Sequence, residues 1–420
     1  MSQRRRTPQL LFIAGAIFAF TLLLSDCSSP DQNTAVLWTN QPEFAAYAET
    51  YNALQNVYRI LLVYKANPAV DIMTTADRPD IVVGEYLRSQ RVRRVFSSLS
   101  SLLNPQKIDP SSFYPEALKN GRWGGDQLLL PVSFDLPAIM FRKGAVPPTK
   151  DSFFVSLDEL KDLAKPFNKE QDGSVTRMGF SPQWSGDFLY SFSLLNGADF
   201  REDSSGKPTW NADALGEALD AVHKWITDSN GGLSKDTAFK DRYVYEPPDV
   251  LLNQRRIAFA YIDATTYFQA AESKRQDLDF RWIADKERVP VLENMVFAGI
   301  PSRSRHRKPA EAFLTWFFQA RTQTKLLEEN RLKQIATFGI SDGFSAISAV
   351  NEIEMSRQYP QLLGHIPKTF DLLFPPALPR NWRQIKDEVV KPWLVKAAAT
   401  EEPAPALQEQ VKSWLLQQGD

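Results

Sequence analysis

A single cysteine, Cys27, in 420 residues takes internal disulfides away from the ways this chain can hold a fold. Packing alone must stabilise it, even in an oxidising compartment. The cysteine also marks the end of a leader. Arg4, Arg5 and Arg6 precede an apolar run from Leu10 to Leu24, and Ser25-Asp26-Cys27 closes it. This is the three-part layout of an export signal, and the run falls short of the roughly 20 residues that a spanning helix needs. Residues 1–26 are therefore expected to be a signal peptide and the chain to act outside the cytoplasm. Ser28 to Asn33 is polar and turn-prone, so 27–34 reads as a tether.

The chain from Ala35 onward is too long for one core, and two or more folding units are expected. Ala35 to Thr39 is β-prone, and after it Phe44, Tyr47, Ala48, Tyr51 and Leu54 recur at helical spacing. Tyr58 to Tyr64, Asp80 to Val83, Arg177 to Phe180 and Ile257 to Ile262 read as strands. Ser156 with Glu159 has the form of a capping box, and Asn211 is placed to cap a helix carrying Leu215, Leu219, Val222 and Ile226. Strands alternating with amphipathic helices predict an α/β fold with open sheets.

Charge and motifs exclude several functions. A formal net charge of −1 gives no reason to expect a nucleic-acid partner. No histidine has a partner at metal-ligand spacing, there is no phosphate-binding loop of the Walker type, and no cofactor is expected. Gly339-Ile340-Ser341-Asp342-Gly343 fits the G-x-S-x-G pattern of a serine hydrolase. Of His223, His306 and His365 only His365 follows Ser341, and it follows too closely for the usual triad order, so a turn is the better reading. Two basic clusters, Arg88/Arg91/Arg93/Arg94 and Arg303/Arg305/Arg307/Lys308, read as solvated faces or as contacts to lipid headgroups or a membrane partner.

Two resemblances are carried by residues. Leu24-Ser25-Asp26-Cys27 resembles the lipobox of bacterial lipoproteins, with Asp26 where that pattern has a small residue, and implies lipidation at Cys27. From Ala35 to Gln417 the chain resembles the sugar-type solute-binding proteins of ABC importers, the group of the maltose-binding protein. The resemblance runs through Pro79-Asp80-Ile81-Val82-Val83, Leu130-Pro131-Val132-Ser133-Phe134-Asp135, Leu195-Asn196-Gly197, Asn253 to Phe259, and Ala298-Gly299-Ile300-Pro301 with Ala310 to Phe317. It implies the two-lobed type II periplasmic-binding-protein fold with hinge crossovers at Pro131 to Leu136 and Met295 to Ile300. One lobe would combine 35–133 with 298–338, the other 134–297 with 339–420.

It further implies a monomer that captures a sugar or oligosaccharide, delivers it to ABC permease subunits and performs no catalysis. A sensor or adhesin on the same fold is the alternative. Positions at strand ends facing such a cleft are Trp38, Asn40, Glu43 and Glu85. Asp135 lies in the first crossover, and Trp184 and Asp187 precede the Asn-Gly turn. Asp263 and Tyr267 follow the Ile257 strand, and Trp382 stands where relatives present an aromatic platform. Carboxylates and amides suit sugar hydroxyls, and aromatic rings suit pyranose faces.

Overall fold

The structure, a computed structural model, describes residues 32–145, 153–286, 288–400, 402 and 405–418. The leader and Cys27 lie outside the described residues. In chain order the strands of the two larger sheets are β1 (Thr34–Thr39), β2 (Arg59–Tyr64), β3 (Ile81–Gly84), β4 (Leu130–Phe134), β5 (Pro137–Arg142), β6 (Phe154–Val155), β7 (Phe259–Asp263), β8 (Leu278–Ile283), β9 (Val296–Gly299) and β10 (Phe344–Ser345). The helices that build the lobes and the cleft are α1 (Phe44–Leu54), α2 (Leu157–Ala164), α3 (Gly186–Leu195), α4 (Ala212–Asn230), α5 (Ala264–Gln269), α6 (Arg307–Phe317), α7 (Ala320–Leu332), α8 (Trp382–Ile385) and α9 (Lys391–Ala398).

A six-stranded sheet has the order β10-β4-β9-β3-β1-β2, and a four-stranded sheet the order β7-β5-β8-β6. In the first, β1 pairs parallel with β2 and β3, and β9 runs antiparallel to β3 and β4. Every residue of β3 is buried, as the middle of a sheet covered on both faces requires. The apolar stripe of α1 supplies one cover. Its Phe44 meets Phe317 of α6 at 5.2 Å between ring centroids, and its Tyr51 meets Phe313 edge-on at 5.3 Å.

Beside the second sheet α3 and α4 pack on each other, Phe188 and Trp225 meeting edge-on near Phe180, and Phe188 also meets Tyr261 of β7 edge-on at 6.0 Å. Local signals explain these helices. Ser156 Oγ accepts from Glu159 N at the start of α2, and Asn211 Oδ1 accepts from Ala214 N at the start of α4. The strand predicted at 177–180 instead ends at Arg177, as the Ser174–Arg177 arm of a hairpin, and Met178 N bonds to the Arg256 carbonyl.

The chain leaves the six-stranded sheet at Phe134 and enters the other at Pro137. It leaves that sheet at Ile283 and returns at Val296, so this passage runs over 284–295, ahead of the predicted 295–300. β10 lies beyond residue 338, where the sequence pattern ended the first lobe, yet it pairs with β4. That boundary moves past Ser345, because the short β10 carries no periodic pattern of its own.

Candidate functional site

The first passage between sheets forms the floor of a cleft. Asp135, 3% exposed, sits in it and accepts hydrogen bonds from Leu136 N at 2.7 Å and Thr265 N at 3.3 Å. Its backbone carbonyl takes Leu292 N from the second passage at 2.9 Å. One residue thus ties both passages to the start of α5. Burial, reinforced by the nearby Asp263, pushes the Asp135 carboxyl well above the usual range. Asp263 caps α5 by accepting from Thr266 N at 2.7 Å and Thr266 Oγ1 at 2.8 Å.

Above this floor is a cavity of about 370 Å³ with walls from both sheets. On one side stand Asn40 and Gln41 after β1, Glu85 after β3, and Ser341 and Asp342 before β10. Opposite are Asp187, Tyr190 and Ser191 of α3, Tyr261 and Asp263 of β7, and Arg383 and Lys386 from the C-terminal helical segment. The sharp loop at Ser341 and Asp342 has both residues at positive φ, 53° and 48°. Gly339 permits it, at φ 60°, since a side chain there would run into the Gly343 carbonyl.

Ion pairs cluster at one end of the cleft, and the Arg383–Glu85 pair crosses it. Arg383 pairs with Glu85, Lys386 pairs with Glu293, and Lys391 bridges Asp187 and Asp387 at 2.9 Å each. Burial pushes Glu85 up to about 7 against the pull of Arg383. Direct bonds also join the two sides. Thr265 Oγ1 donates to the Asp342 carbonyl at 2.8 Å, and Gln269 Nε2 donates to Asp342 Oδ1 at 2.7 Å. Arg88 donates to the carbonyls of Pro375 and Pro376, both at 3.0 Å.

With that geometry in place, the solved structures decide the architecture. An ABC substrate-binding protein from Listeria monocytogenes in complex with cycloalternan superposes with a TM-score of 0.62 at 14% identity, over 92% of this chain and 99% of that one. The mannotriose-bound protein CpMnBP1 gives 0.61 at 16% identity over 90% and 98%. A cyclo/maltodextrin-binding protein with maltotetraose gives 0.61 at 15% identity over 93% and 98%. The fold is that of a type II periplasmic binding protein. At these identities the likeness is one of fold, and no protein-family model and no curated protein matches the sequence.

In this binding-protein fold, five of the predicted positions meet in the cavity: Asn40, Glu85, Asp135, Asp187 and Asp263. Glu43 lies behind its wall, 6% exposed, and Thr337 donates to it at 3.2 Å. The aromatic expectations are corrected. Trp382 has no exposed surface and packs against Phe200 and Tyr190 at 5.5 and 6.5 Å. Trp184 stacks on Phe239 at 5.6 Å inside the second lobe. Tyr267, 1% exposed, donates to the Leu278 carbonyl. Trp38 is buried within β1 with Lys65 Nζ 4.4 Å from its ring centroid. None of these four rings reaches the cavity.

Sequence reasoning missed Tyr190, Tyr261, Thr265, Glu293, Asp342, Arg383 and Lys386. The signal for some was present: Asp187, Tyr190 and Ser191 share the i, i+3, i+4 spacing of one helix face. The Ser341 hydroxyl donates to Gln41 Oε1 at 3.1 Å, and no described histidine bonds to it. In the basic clusters Arg91, Arg94, Arg303, Arg305 and Lys308 are exposed, as solvated faces would be, and three members are tied down. Arg88 is buried, Arg93 lies 3.3 Å over the Trp123 ring, and Arg307 holds Glu311 and Ser97. A larger groove, about 810 Å³, runs between α1, α6 and α7, but it belongs to the first lobe alone and no passage between sheets reaches it.

Proposed function

We propose that this chain is an extracytoplasmic solute-binding protein that captures a carbohydrate between its lobes and presents the closed form to an ABC permease, held at the membrane through Cys27. The observation that carries the reading is the polar cavity whose walls come from both sheets and whose floor is the passage at Asp135. The solved proteins that share this fold bind mannotriose, cycloalternan or maltotetraose. Carboxylates, amides and hydroxyls are the groups that exchange hydrogen bonds with sugar hydroxyls.

The mechanism is binding. A ligand touching Asn40 and Asp342 on one side and Asp187 and Tyr261 on the other gains its full contact set only when the lobes are together. It therefore shifts the open and closed populations toward closed, and about 5.5 kcal/mol of differential affinity is enough to reverse a 1:99 ratio. The short passages at 135–136 and 284–295 are where few torsions move whole lobes. A thermal-shift screen against a carbohydrate panel tests the reading. A ligand at a hundred times its Kd adds about 2.7 kcal/mol to native stability, and a flat response across mono-, di- and oligosaccharides removes the carbohydrate assignment.

A further inference from the structure

Away from the cleft, the larger groove of the first lobe is basic. Lys107, Lys308, Arg321 and Lys325 line it against one carboxylate, Glu311, which Arg307 already holds at 2.6 Å. All four cations are exposed. Lys325 stands 3.7 Å from Glu329, and among the described residues no carboxylate forms an ion pair with Lys107, Lys308 or Arg321. A chain whose formal net charge is −1 thus gathers uncompensated positive charge on one flank.

Beside the groove an apolar tip stands in solvent. Thr50 of α1 and Tyr58 belong to the groove wall. Leu54, one helical turn on from Thr50, is 52% exposed, and Val57, next to Tyr58, is 63% exposed. The tip is braced. Gln55 Oε1 accepts from Val57 N and from Tyr58 N at 2.8 Å each, and the Asn52 side chain bonds both the N–H and the carbonyl of Ile60, at 2.8 and 2.9 Å. Aliphatic side chains held out of the core by a fixed turn, at the rim of a charged groove, mark an interaction surface.

The path of the chain says what covers that surface. Arg59 N, directly after Tyr58, donates to the Asn33 carbonyl at 2.9 Å, so the segment leading back to Cys27 meets the lobe at the tip. Cys27 precedes Asn33 by six residues, a reach of at most roughly 20 Å. We infer that the tip and the groove dock on an anionic phospholipid surface, with Leu54 and Val57 entering among the headgroups and the four cations facing lipid phosphates. This rests on the lipidation of Cys27 in the reading above. Two acyl chains retain the protein by themselves, so the docking face sets its posture. Asn40 and Glu85 follow the far ends of β1 and β3, which keeps the mouth of the cleft clear of the docked face. Of the basic residues singled out in the sequence, Lys308 takes part.

Hydrogen–deuterium exchange of the full chain on two sets of vesicles tests the inference, one of phosphatidylcholine and one of equal parts phosphatidylcholine and phosphatidylglycerol. Flotation with the first set reports the anchor alone. On the anionic set the amides of 54–60 and 102–108 are expected to exchange more slowly than on the neutral set, and salt at about 1 M, where the screening length is about 3 Å, should abolish the difference. Each cation near an anionic surface favours the docked form by about fivefold, so Lys308→Glu with Arg321→Glu should lower the docked-to-free ratio by about 25-fold or more. Both side chains are exposed, and the melting temperature in detergent checks that the double variant is folded. Equal exchange on the two sets overturns the docking face, and flotation with phosphatidylcholine then shows the anchor standing without it. Protection with flotation on the anionic set alone overturns the anchor and leaves the face. Protection of 102–108 by polyglutamate in detergent, with none on either set of vesicles, overturns the membrane in favour of an acidic protein.

Discussion

Thr265 reaches Asp342 across the cleft: its hydroxyl donates to the Asp342 carbonyl at 2.8 Å while its N–H bonds to Asp135 on the floor. The same threonine opens α5, so a small motion of that helix relative to the loop before β10 makes or breaks the contact. Thr265→Val keeps the shape and removes the donor. We expect a population shifted toward the open form and ligand affinity lowered by about 0.5–1.5 kcal/mol. Small-angle scattering of the free protein, beside titration with the ligand found in the screen, checks it; an unchanged radius of gyration with unchanged affinity rules the contact out as a latch.

Trp382 is fully buried among Tyr190 and Phe200. Trp382→Ala should therefore cost about 3–5 kcal/mol of stability, as for other large core side chains, and leave the affinity of the folded fraction unaltered. Urea denaturation and titration on the same sample separate the two effects. A large loss of affinity at near-wild-type stability would return the ring to the ligand.

Stability should fall as pH rises through neutrality. Burial, and after it the charge of Asp342, lifts Glu43 from its ordinary 4.5 to about 7. Between those values the folded chain holds a proton that the unfolded chain has lost, so the contribution is full below pH 4.5 and is lost as pH climbs through 7. Glu85, pushed up to about 7 by burial, acts in the same direction. Urea midpoints at pH 5 and pH 8 should differ for the wild type and differ less for Glu43→Gln. Equal pH slopes in the two proteins would show that Glu43 ionises normally.

Lipidation at Cys27 is tested by partitioning. The diacylglycerol of a processed lipoprotein carries the chain into a detergent phase, and Cys27→Ala should stay in the aqueous phase. Aqueous behaviour of both forms would remove the anchor.

The part of the site legible in the sequence is the part set by strand ends. Asn40 and Glu85 follow β1 and β3, so locating those strands located two residues that line the cavity, whereas Asp135 was pointed to by the resemblance of the first crossover. Helical positions were harder, because successive residues on a helix point about 100° apart. In α8 this turned the expectation inside out: Trp382 faces the core, while Arg383 next to it faces the cavity. Residues such as Glu293 and Asp342 sit on connections with no periodicity, and only the assembled fold brings them to Lys386 and Thr265. The strands of the opening β-α-β stretch were legible because their apolar runs are continuous, whereas the two-residue β10 offers no pattern to read.

The interleaved sheets also set an order of assembly. The four-stranded sheet is drawn from residues 137 to 283, but the six-stranded sheet needs strands from Thr34 through Ser345. Pairing of that kind must close long loops before its contacts form, which slows folding. A growing chain can therefore pair the four strands of 137–283 early, but neither lobe closes its core before the C-terminal segment arrives, because Trp382 completes the packing around Tyr190 and Phe200. Chains truncated just before Phe344 should be cut by protease within both 34–134 and 137–283, and native-like protection of either stretch would contradict this dependence.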